Sequence, residues 1–140
     1  MNWSCNWKLI YDIDVDFDHQ NHQFDLTEKI TYYNNSPDNL NKVFFHLYYN
    51  AFQPGSMMDV RSRTIADPDS RVLDRIQKLN KNEIGFQKIN SVVDGNKKNL
   101  VFNEQGTILE VFLDKPLLPG KKLKLTLSCR SQIPLQIRRT

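Results

Sequence analysis

Glycine is scarce in this sequence, with five in 140 residues, which leaves little material for a phosphate-cradling loop or a dinucleotide turn. No Gly-x-Ser-x-Gly elbow, Walker loop or Cys-x-x-Cys pair occurs, so no motif assembles a nucleophile, a base and an oxyanion site. Of the three histidines, His19, His22 and His46, none is followed by glutamate, which excludes the helical His-Glu-x-x-His zinc motif. No window approaches the roughly 18 apolar residues that a membrane span needs. The opening MNWSCNWKLIYD has no basic region followed by an apolar run, so no export signal is expected here. Basic residues outnumber acidic ones only by 19 to 16, without the basic stripe interleaved with aromatics that phosphate contacts need, so nucleic acid is not an expected partner.

What is present describes a folding chain. Hydrophobic residues make up 39% and aromatics 11%, with scattered charge, which argues against disorder. The length suits one domain with one core. From Lys8, KLIYDIDVDFD alternates, with Tyr11, Ile13, Val15 and Phe17 pointing one way and Asp12, Asp14, Asp16 and Asp18 the other, as in a half-buried strand. HQNH is a turn, and QFDLTEKITYY resumes the alternation with Phe24, Leu26, Ile30 and Tyr32 inward. Closing this hairpin between Gln20 and Asn21 sets Phe17 opposite Phe24, Val15 opposite Leu26 and Asp12 opposite Lys29. Glu28 is then the misfit on the inner face.

NNSPDN is a turn cluster, and the following KVFFHLYY, apolar on both faces, is expected to be the central and most buried strand. Asp67 before Pro68 forms an N-cap signal, and Val72, Leu73, Ile76 and Leu79 then recur at helical spacing. Beyond them the period returns to two in FQKINSVV, NLVF, TILEVFL and KKLKLTLSCR, with turns at Asp94-Gly95-Asn96, Gln105-Gly106 and Pro119-Gly120. The expected fold is mainly β: an antiparallel β-sandwich of about seven strands with one short inserted helix near residues 68–80.

Few residues are candidates for chemistry. Cys5 and Cys129 can meet only if the first and last strands are neighbours, and two inert thiols are the simpler expectation. His19 and His22 sit beside Asp18, but in a turn where polar residues are expected anyway. The aspartates of the first strand are about 6.7 Å apart, too far for neighbours to chelate one ion without a partner strand; a solvated face that discourages edge pairing accounts for them. Asn2 and Asn34 match the short glycosylation pattern, which arises readily by chance. The loop HLYYNAFQPGSMMDVRSRTIADPDSRV stands out. Arg61 and Arg63 with Asp59, Asp67 and Asp69 suit an ion-pair network at an interface, and Met57 and Met58 suit an irregular contact surface. The alternative is a loop packed on its own sandwich with its charges in water.

The run YNNSPDNLNKVFFHLYYNAFQPGSMMDVRSRTIADPDSRVLDRI, Tyr33 to Ile76, resembles the N-terminal domain of zinc metallopeptidases of the aminopeptidase N and leukotriene-A hydrolase type (peptidase family M-one, the gluzincins), and is most similar to the Bacteroidetes branch. EIGFQKI, GTILEVFLDKPLLPG and QIPLQIRR extend the resemblance forward and YDIDVDFD extends it backward. The resemblance implies a saddle-like β-sandwich spanning residues 1–140, packed on a thermolysin-like catalytic domain and helping to wall a peptide-substrate cleft. It implies that zinc belongs to the intact parent and that this chain, a fragment of it, is catalytically inert. No catalytic or metal-ligating residue is carried over; Met57, Met58, Arg61, Arg63 and Asp67 are the candidate domain-docking residues. Relatives of this type are usually exported. Two other possibilities stay open: a free-standing β-sandwich binding or adhesion module, and a metal-dependent hydrolase built on His19, His22 and Asp18.

Overall fold

Period-two alternation places the strands. Lys8–Asp18 (β1) and Gln23–Tyr33 (β2) form a hairpin whose register pairs Phe17 with Phe24, Val15 with Leu26 and Asp12 with Lys29, as the sequence predicts. The computed structural model describes residues 8–66 and 70–136. Five further strands follow: Leu40–His46 (β3), Phe86–Asp94 (β4), Phe102–Gln105 (β5), Ile108–Leu117 (β6) and Lys122–Gln132 (β7). They form a four-stranded sheet in the order β1-β2-β7-β4 and a three-stranded sheet in the order β3-β6-β5, antiparallel throughout. Ile30, Leu47, Ile89, Val92, Leu109, Val111, Leu125 and Leu127 fill the space between them. This is a β-sandwich.

Three expectations are corrected. β1 is an edge strand whose inward residues Leu9, Tyr11, Ile13, Val15 and Phe17 are between 44% and 54% exposed, because the smaller sheet supplies no strand to cover them. The aromatic segment after the first turn cluster is also an edge, not the central strand: β3 stops at His46, and a 3-10 turn at Tyr48–Ala51 follows. The most buried strand is β7, paired on both sides.

The third correction concerns the helix. The one α-helix among the described residues is Met57–Thr64 (α1), while 70–80 folds as turns and a 3-10 helix at Ile76–Lys78. Val72 and Ile76 are buried, as their spacing predicts. Leu73 turns outward with φ at 39°, which breaks a right-handed helix at that residue. The N-cap signal at Asp67 and Pro68 lies outside the described residues.

α1 forms where Ser56 caps it: the Ser56 hydroxyl accepts the Asp59 N–H at 3.1 Å, satisfying a first-turn donor. The sequence signal was Ser-x-x-Asp, a capping pattern. It is easily missed because the helix is short and only Met57 and Val60, at i and i+3, recur at helical spacing.

Candidate functional site

The loop singled out from sequence folds around Asp59. Its buried carboxylate accepts the Gly55 N–H at 2.8 Å and two bonds from Arg63, Nε to Oδ1 at 3.1 Å and Nη2 to Oδ2 at 3.2 Å. The fork geometry ties the helix to its own N-terminus. Arg63 is thereby an internal strut, with its side chain 33% exposed. Met58 packs with Phe52, Val72 and Ile76 in a second small core. Met57 is 87% exposed and, with Arg61, Ala51, Ile65 and Thr107, lines a shallow cavity of about 440 Å³. The structure thus brings Met57, Met58 and Arg61 to one patch and turns Arg63 to the protein's own Asp59. Asp67 and Asp69 lie outside the described residues.

A second surface, unforeseen as a site, opens between the sheets. Along the β1 and β3 side run two adjoining hollows of about 490 and 410 Å³ that share Tyr11, Phe44 and Phe45. Their lining is mainly apolar, with Glu28, His46 and Gln87 in the first hollow and Lys42 in the second. Glu28 lies in register between Ile13 of β1 and Leu127 of β7, and among the described residues no hydrogen bond or ion pair reaches its carboxylate. Burial pushes its carboxyl above the ordinary value, since a half-desolvated carboxylate without a partner favours its neutral form. The signal was visible as the one acid on an apolar row.

The remaining candidates are occupied otherwise. Asp18 accepts the Asn21 side-chain amide at 2.6 Å and the backbone N–H groups of Gln20 and Asn21 at 3.0 and 3.2 Å; these bonds, the Asn21 side chain first, hold it below the usual carboxylate value. The carboxylate therefore closes the hairpin turn beside His19 and His22. No group of three His, Cys, Asp or Glu side chains able to hold a metal gathers among the described residues. Cys129 is a free, buried thiol on β7, pushed up in pKa chiefly by burial, with β2 standing between it and β1; Cys5 lies outside the described residues. Asn34 is fully buried, its amide donating to the carbonyls of Asp38 at 2.8 Å and Leu117 at 2.9 Å, so the folded chain offers no nitrogen there for glycosylation. No described helix is long and apolar enough to cross a membrane.

Comparison with known proteins places the fold. No family model matches the sequence, and no curated protein matches it. Among solved structures the chain is similar to a mutant M1 zinc metallopeptidase from Deinococcus radiodurans, at 13% identity and a TM-score of 0.53, covering 87% of this chain and 19% of that one. The same mutant enzyme bound to a Tyr-Ser-Ala substrate matches at 13% identity and a TM-score of 0.49, with the same 87% and 19% coverage. The chain spans about a fifth of the length of these peptidases. What is shared is a β-sandwich architecture.

Proposed function

We propose that this chain is a non-catalytic β-sandwich domain of a larger zinc aminopeptidase-like enzyme, packed against a thermolysin-like catalytic domain and helping to shape its peptide-substrate cleft. The observation that carries this is the fold likeness, which takes in 87% of this chain but 19% of a zinc peptidase. In this reading Met57 and Arg61 meet the catalytic domain, Met58 anchors α1 from beneath, and the Asp59 to Arg63 pair keeps the helix in place; a helix displaying an almost fully exposed methionine is suited to be covered. In this reading zinc and the water it activates belong to the partner domain, and no residue described here is assigned to the chemistry.

Complementation tests this. The purified chain, supplied with zinc, is expected to show no hydrolysis of aminoacyl fluorogenic substrates, whereas its addition to a separately produced catalytic domain of the parent enzyme raises that domain's activity and forms a stable complex. Arg61→Glu is expected to weaken that complex. Hydrolysis by the chain alone that tracks bound zinc overturns the proposal, and so does a catalytic domain that neither binds nor responds to it. The hollows between the sheets favour a second reading, a free-standing binding module, which ligand capture without any effect on a catalytic domain would support.

A further inference from the structure

The two sheets are unequal, and the inequality is on one side. Four strands face three, and the uncovered one is β1, whose inward row Leu9, Tyr11, Ile13, Val15 and Phe17 stands about half exposed. The edge that would carry a covering strand is free: β3 pairs with β6 on one side and, among the described residues, with no strand on the other. The two hollows run along this edge, lined by Leu40, Val43, Phe44 and Phe45 from β3 and by Leu9 and Tyr11 from β1. Glu28, on β2 beside β1, lines the same trough.

We propose that the open side of the sandwich is a strand-docking site, in which an extended partner segment of alternating apolar residues with one lysine pairs with the free edge of β3 and sets that lysine against Glu28. Three features select this occupant. An unpaired strand edge offers main-chain donors and acceptors at the spacing of another strand. A row of alternate apolar side chains is complementary to a strand whose own side chains alternate. The third is charge: Glu28 sits between Ile13 and Leu127 with no cation against it among the described residues, and an incoming ammonium supplies the missing partner.

A second copy of this chain docked through its edge strand β1 fits less well. That strand alternates apolar residues with aspartates, Asp12 to Asp18, and offers no base on its apolar row to meet Glu28. The site stands independently of the peptidase reading, since it rests on the edge, the row and the carboxylate alone.

The test uses the full chain and capped nine-residue peptides alternating valine and threonine, with one lysine in the valine row. Titration followed by amide NMR is expected to saturate, moving the β3 edge amides and slowing their exchange. N-methylation of one of the two alternate sets of peptide amides is expected to abolish binding, while the other set leaves it intact. Replacing the peptide lysine by glutamine is expected to weaken binding about tenfold, the effect of one charge-assisted hydrogen bond, and this loss should vanish in Glu28→Gln. The isosteric Glu28→Gln keeps the fold, and the N-methyl series needs no protein variant at all. Equal binding by both N-methyl sets would mean an apolar trough without strand pairing and overturns the proposal. So do an unchanged lysine effect in Glu28→Gln, no binding of the peptide, and closure of the trough by dimerisation seen in sedimentation.

Discussion

Asn34 shows how much one polar side chain can hold. Its amide donates to Asp38 and Leu117, its Oδ1 accepts the Ser36 N–H at 3.1 Å and the Ser36 hydroxyl at 2.7 Å, and its backbone bonds Lys121 and Gly120. One residue thus ties the turn after β2 to the β6-β7 hairpin. Asn34→Ala breaks the bond to Asp38 and leaves the buried Leu117 carbonyl unmet, and is expected to cost about 2 kcal/mol, read from urea unfolding; a loss under about 0.5 kcal/mol, the range of an ordinary surface substitution, would contradict this. Sequence marked Asn34 only as a turn residue and a short glycosylation match, since the Leu117 carbonyl that it meets lies 83 residues away.

Glu28 makes the opposite case. Its folded pKa is raised from 4.5 by burial, so above pH 4.5 the unfolded chain binds fewer protons than the folded one and stability falls as pH rises through the folded value. Glu28→Gln should flatten that slope and leave the protein more stable at neutral pH, as urea midpoints from pH 4 to 8 would show. The lowered carboxyls of Asp18, Asp74 and Asp94 act in a separate window, losing their contribution as pH falls below 3.8.

At the scale of elements, α1 is the clearest test of local against tertiary control. An eight-residue helix is marginal in isolation, and it persists through its Ser56 cap, the Asp59 to Arg63 fork and the packing of Met58 on Phe52, Val72 and Ile76. Asp59→Ala removes the acceptor of three bonds, including the Gly55 N–H. The expected cost is about 2 kcal/mol, with loss of helical signal and faster proteolysis at 57–64; a variant as resistant as the parent would show that the helix stands on packing alone. The segment 70–80 failed as a helix for a related reason. Val72 and Ile76 satisfy helical spacing, but what the spacing reports is burial on one side, and turns with a 3-10 segment bury the same two residues.

Across the whole molecule, pairing decides rigidity. β7 lies between β2 and β4 and joins the inward rows of both, whereas β1 and β3 each leave one edge open. Hydrogen exchange should therefore find its slowest amides on β7 and fast exchange at the outward amides of β3. Slow exchange along both edges of β3 would mean that a strand already covers it.

Alternation by itself determined the first hairpin and its register, because a period of two admits one inward face and the turn length allows one alignment; it marked most of the other strands but set one at NLVF where β5 is Phe102–Gln105. It marked Glu28 as out of place and the Met57 to Arg63 loop as unusual. Only the tertiary structure decided that the inward row of β1 stays uncovered and that β3 is an edge, that Arg63 turns to Asp59 and that a trough opens beside Glu28. The physical reason is that a strand's sequence reports which of its faces is apolar, while the number of strands in the opposite sheet decides whether that face is covered.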